Sequence, residues 1–102
     1  MAKGYWVARV DVYDADAYKK YVEHNAAAFK KYGAKFLVRG GQFALKEGMA
    51  RARNVLIEFP TYQAALDCYH SPEYKLALSF RGGVVSNGDL VIIEGYDGPQ
   101  PQ

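Results

Sequence analysis

From Tyr5 to Tyr13 the chain alternates: Trp6, Ala8, Val10 and Val12 fall on one side, and Tyr5, Val7, Arg9, Asp11 and Tyr13 on the other. A strand with one buried face has this pattern. At Asp14 the period lengthens. Tyr18, Val22, Asn25, Phe29 and Tyr32 recur at spacings of four and three, which predicts a helix whose buried stripe is broken by one amide. Asp14 is placed to cap the first free amides, Asp16 and Lys30-Lys31 suit the two ends of the helix dipole, and Gly33 is a natural stop.

Strand character resumes at Ala34–Gly40, with Phe36 and Val38 on the buried side and Leu37 and Arg39 opposite, and Gly40-Gly41 bends or ends it. Residues 42–53 are ambiguous, since Gln42–Leu45 could extend a hairpin. Asn54–Phe59 is a clear strand stopped by Pro60. Thr61 and Ser71 are both plausible caps, and Pro72 suits the first position of a new helix, so Thr61–Phe80 predicts two helical pieces meeting near His70. Arg81–Gly88 is expected to be a loop and Asp89–Tyr96 the last strand, with Val91 and Ile93 on its buried side. Residues 1–98 make one domain and 99–102 a mobile tail.

Strand, helix, strand occurs twice in succession. Two such units in a chain of 102 residues predict an α+β fold, the ferredoxin-like βαββαβ sandwich, with a four-stranded antiparallel sheet and its helices on one face. The other face is then open. By this assignment it carries Val7, Leu37, Leu56, Leu90, Ile92 and Tyr96 among Arg9, Asp11, Arg39, Asn54, Glu58 and Glu94. Aliphatic residues mixed with charges of both signs suit an interaction surface, and burying the charges requires that they pair or meet a ligand.

Composition narrows the function classes. A net charge of +2 with scattered basic residues gives no strong nucleic-acid or membrane field. An RNA-binding sheet would need stacking aromatics where this chain has Asn54 and Leu56, with Glu58 facing the same way, so no nucleic-acid partner is expected. No run is long enough to span a membrane and no signal-peptide core follows Met1, so the expected location is cytoplasmic. Cys68 stands alone, which fits a reducing compartment.

Several segments together resemble one family. Tyr5–Val10 (YWVARV), Phe36–Gly41 (FLVRGG), Val55–Pro60 (VLIEFP), Ser71–Tyr74 (SPEY) and Asp89–Gly95 (DLVIIEG) look like the successive signatures of the domain of unknown function 1330. The resemblance extends from about Gly4 to Gly98. It implies a dimeric α+β barrel, the superfamily that includes small cofactor-free monooxygenases, chlorite-dismutase-like haem proteins and muconolactone-isomerase-like enzymes. It implies a homodimer and no particular reaction.

The candidate chemistry lies on the open face. Arg39 beside Gly40-Gly41 could grip a carboxylate or phosphate bidentately, or form an ion pair with Glu58 or Glu94. Substrate binding is expected from Arg9, Arg39, Gly40, Asn54 and Glu94, with His24 or Glu58 moving a proton. No metal-ligand cluster, dinucleotide loop or haem motif occurs, so no cofactor is expected. Two functions follow: a cofactor-independent enzyme acting on a small organic acid or aromatic compound, or a non-catalytic small-molecule-binding or stress-related homodimer.

Overall fold

The computed structural model describes residues 2–101. Seven elements follow in chain order: β1 (Gly4–Val12), α1 (Ala15–Lys31), β2 (Lys35–Arg39), β3 (Arg53–Phe59), α2 (Tyr62–His70), α3 (Pro72–Leu78) and β4 (Ser86–Glu94). The strands form one antiparallel sheet in the order β2-β3-β1-β4, the ferredoxin-like arrangement. The three expected caps are in place. Asp14, Thr61 and Ser71 accept from the amides of Ala17, Ala64 and Tyr74, and the chain breaks between α2 and α3 at Ser71.

The core lies between the helices and one sheet face, around Trp6. Its ring meets Tyr74 at 4.9 Å and Phe29 at 5.2 Å, both edge-on, and Phe59 at 5.4 Å. The indole N–H donates to the Ala65 carbonyl at 2.9 Å, so the buried ring leaves no polar atom unpaired. Tyr21 and Ala28 join the buried stripe of α1 beside Asn25 and Phe29.

Two strands present their side chains differently from the sequence expectation. In β4, pairing starts at Ser86, inside the expected loop, and sets Leu90 opposite Ala8 and Ile92 opposite Trp6. Residues directly opposite in an antiparallel pair share a face, so Leu90 and Ile92 face the helices. Val91 and Ile93 lie on the open face, 56% and 51% exposed. In β2, a bulge between Phe36 and Val38 inserts one extra residue, Leu37. Beyond it Val38 pairs with Leu56 on the open face, and Arg39 pairs with Val55 on the helix face, reversing the expected sides. Residues 42–50 form no strand. Of the expected tail, residues 99–101 have no regular structure, the Pro99 carbonyl accepts from the Tyr96 hydroxyl at 2.7 Å, and Gln102 lies outside the described residues.

Candidate functional site

Side-chain size along the strands leaves a space between the sheet and α1. At one end Trp6, Phe29, Phe59 and Tyr74 fill the sandwich. Further along, the helix-facing positions shrink to Ala8 and Val10 on β1 and Gly88 on β4, while α1 supplies Tyr18, Tyr21, Val22 and Asn25 above them. The result is a cavity of about 290 Å³. That is near the lower end of small-molecule sites, roughly 300–1,000 Å³. Gly88 cannot easily change, because a Cβ there would stand 2.5 Å from the Arg9 carbonyl oxygen.

Four arginines border this cavity: Arg9, from the open-face side of β1, and three others, each brought to the helix side by a different device. Arg39 arrives through the β2 bulge and lies 4.1 Å above the Phe36 ring. Arg53 opens β3 opposite Val10, which places it on the helix face. Arg81 follows α3, and its guanidinium sits 4.6 Å over the Tyr21 ring. Gly40 (φ 72°) turns the chain out of β2 beside Arg53, whose Nη1 lies 2.8 Å from where a Cβ would be. A side chain at that position would be strained and would crowd the guanidinium.

The charges of these three residues are not neutralised within the protein. No ion pair or side-chain hydrogen bond joins Arg39, Arg53 or Arg81 to another described residue. The other two arginines behave differently. Arg51 bonds Asp11 and Asp89, each at 2.9 Å, and Arg9 donates to the Met49 carbonyl at 3.1 Å and stands 3.9 Å from Asp89. Both are engaged on the open side of the sheet.

The remaining polar groups of the cavity suit an anion. Burial, reinforced by Tyr21, pushes the Tyr18 phenol up, against the opposing pull of Arg81, Arg53 and Arg39. Burial likewise pushes the Tyr74 phenol up, and its hydroxyl shares a 2.6 Å hydrogen bond with that of Tyr21. These phenols stay protonated at neutral pH and can donate. Asn25 is buried and bordered by the cavity, and its side chain bonds no other described residue. Guanidinium, phenol and amide donors therefore surround a space walled by Trp6, Phe29, Phe36 and Ile57. Among the described residues, no group of three His, Cys, Asp or Glu is placed to hold a metal ion.

The structure does not bring the sequence-derived candidates together on the open face. Arg39 lines the cavity, and Gly40, which stands beside Arg53, is not among the lining residues. Glu94 pairs with Gly4, in phase with Trp6, and so leaves the open face. Arg9, Asn54 and Glu58 do lie on that face, since Arg9 is opposite Asn54 and Tyr5 is opposite Glu58, and Arg9 also borders the cavity. Glu58 is bound by Lys3 at 3.1 Å and by the Tyr5 hydroxyl at 3.2 Å; the Lys3 contact, first, holds its carboxyl below the usual range. His24 stacks on Phe80 at 4.3 Å and is not among the cavity-lining residues. Arg53, Arg81, Tyr18 and Asn25 complete the site. The sequence signals were the break at Asn25 in an otherwise apolar stripe and an arginine just after the second helical segment.

The model of the family described as Domain of unknown function (DUF1330) matches residues 3–96. Among solved structures, the chain is similar to a protein of unknown function from Rhodopseudomonas palustris, at 18% identity and TM-score 0.72 over 95% of this chain and 85% of that one. It is also similar to SnoaB, a cofactor-independent oxygenase from Streptomyces nogalater, at 16% identity and TM-score 0.61 over 99% and 97% of the two chains. A candidate antibiotic biosynthesis monooxygenase from Caulobacter crescentus shares 21% identity and TM-score 0.61 over 97% and 92%. At these identities the likeness is one of fold. Among curated proteins, nothing matches the chain.

Proposed function

The chain belongs to the domain of unknown function 1330 family, and from that premise we propose that it binds a small organic acid in the cavity between its sheet and α1. The observation that carries this reading is the set of three guanidiniums, Arg39, Arg53 and Arg81, on one cavity without a carboxylate partner among the described residues. Unneutralised cations in a partly enclosed space repel one another, and an anion relieves that repulsion while accepting charge-assisted hydrogen bonds of about 1.5–3 kcal/mol each. The aromatic wall favours a ligand with a ring or short apolar body.

The groups present suit holding an anion better than abstracting a proton. Asp89 borders the rim and is committed to Arg51 at 2.9 Å, while His24 and Glu58 are engaged outside the cavity. We take binding as the primary role. The protein acts as a homodimer through its open face, where Val38, Leu56, Val7 and Val91 form a cross-strand row. Its single buried free thiol, Cys68, suits the cytoplasm.

Thermal unfolding with added benzoate tests the site. Saturation at a hundredfold excess over the dissociation constant should stabilise the protein by about 2.7 kcal/mol. Arg53→Ala should remove that gain while leaving the free protein folded. A benzoate shift of full size in Arg53→Ala would place the ligand elsewhere.

A further inference from the structure

The charge balance of the cavity narrows the ligand further. A carboxylate carries one negative charge and two oxygens with about four acceptor sites, while each guanidinium presents five N–H donors. One carboxylate among Arg39, Arg53 and Arg81 would leave two positive charges without compensation. The protein does not supply the difference from within. Asp89, at the rim, is held by Arg51; Asp11, also held by Arg51, and Glu58, held by Lys3, lie on the opposite side of the sheet. Tyr18 feels all three guanidiniums and offers a neutral hydroxyl beside them, and the Asn25 amide adds donors. Behind this polar end the walls are Trp6, Phe29 and Ile57, with room for one ring in a space of about 290 Å³.

Resting on the organic-acid reading above, we propose that the ligand's head group is a dianion, either a phosphate monoester or two adjacent carboxylates, seated among Arg39, Arg53 and Arg81. The rest of the ligand is a single ring or a short apolar body pointing toward Trp6. Both heads share the chemistry that matters: two negative charges within one small volume, with enough oxygens for three guanidinium forks.

Calorimetric titration of the full chain with four probes tests this: benzoate, phthalate, monomethyl phthalate and phenyl phosphate at one ionic strength. Phthalate, phenyl phosphate or both should bind at least tenfold tighter than benzoate, and monomethyl phthalate, with one charge blocked, should fall back to the benzoate level. Phthalate winning alone identifies a dicarboxylate head, and phenyl phosphate winning alone a phosphate head. Arg53→Gln, checked for folding by circular dichroism, should shrink the dianion preference. Equal binding of phthalate and its monomethyl ester, with phenyl phosphate no tighter than benzoate, would overturn the dianion proposal and leave the organic-acid site standing. Failure of all four probes to bind would overturn both.

Discussion

At the scale of single residues, the molecule separates reactive side chains from its cavity. Cys68 is fully buried, and burial first, then Glu73, pushes its thiol up to about 12. A raised value means that the neutral thiol favours the folded state. That contribution is complete below the unfolded thiol range near pH 8.5 and drains as pH climbs toward about 12. Native protein at pH 8 should therefore not react with a disulfide reagent and should release one equivalent only on unfolding. The melting temperature should fall more steeply above pH 9 in wild type than in Cys68→Ala; a thiol that reacts in the native state would contradict this. Cys68 was legible from its apolar neighbours. Arg53 was not, because it opens a strand at the end of a segment with no clear period, and its role depends on what lies opposite it.

At the scale of elements, local chemistry was readable and register was not. Caps are decided within four residues, and Asp14, Thr61 and Ser71 all cap as their sequence positions suggest. Ser71 joins two helices: its Oγ accepts from the Tyr74 amide at 3.1 Å and donates to the Cys68 carbonyl at 2.7 Å. Ser71→Ala should cost about 1 kcal/mol from the lost cap, since the Cys68 carbonyl keeps the Ser71 amide as a donor. At roughly 4–8 °C per kcal/mol, calorimetry should record a clear drop in melting temperature, and an unchanged value would show that water replaces the hydroxyl. The phase of β4 escaped because Leu90, Val91, Ile92 and Ile93 are all apolar, so alternation says nothing about which side faces the helices. Its answer lies in pairing with β1, a partner far away in sequence.

At the scale of the whole molecule, one sheet separates two kinds of surface. The helix side holds the core and the cation-lined cavity, and the open side presents Val7, Val38, Val91 and Ile93 at 42%, 42%, 56% and 51% exposure. Leu56 lies between Val7 and Val38 in that row. If the row joins two copies, Leu56→Arg buries two unpaired charges at the interface, one from each copy. Light scattering at micromolar concentration should give a dimer mass for wild type and a monomer mass for Leu56→Arg. Equal masses for the two would show that association does not use this face. The ferredoxin-like topology was legible from the order of strands and helices, whereas the location of the cavity depended on which way single strands turn.

The bulge at Leu37 gives that dependence a genetic form. Removing this one residue would leave Phe36, Val38 and Arg39 against Ile57, Leu56 and Val55 in even pairing, with Arg39 still on the helix side. Straightening the strand with Leu37 kept would instead set Arg39 against Asn54, on the open side. Four residues from Phe36 to Arg39 with a bulge, or three in even pairing, thus bring the guanidinium to the same side of the sheet. Among relatives of this chain, a one-residue gap opposite Leu37 would therefore mark the loss of the bulge and not of the cavity's arginine, whereas a regular strand of unchanged length would carry that arginine to the other side.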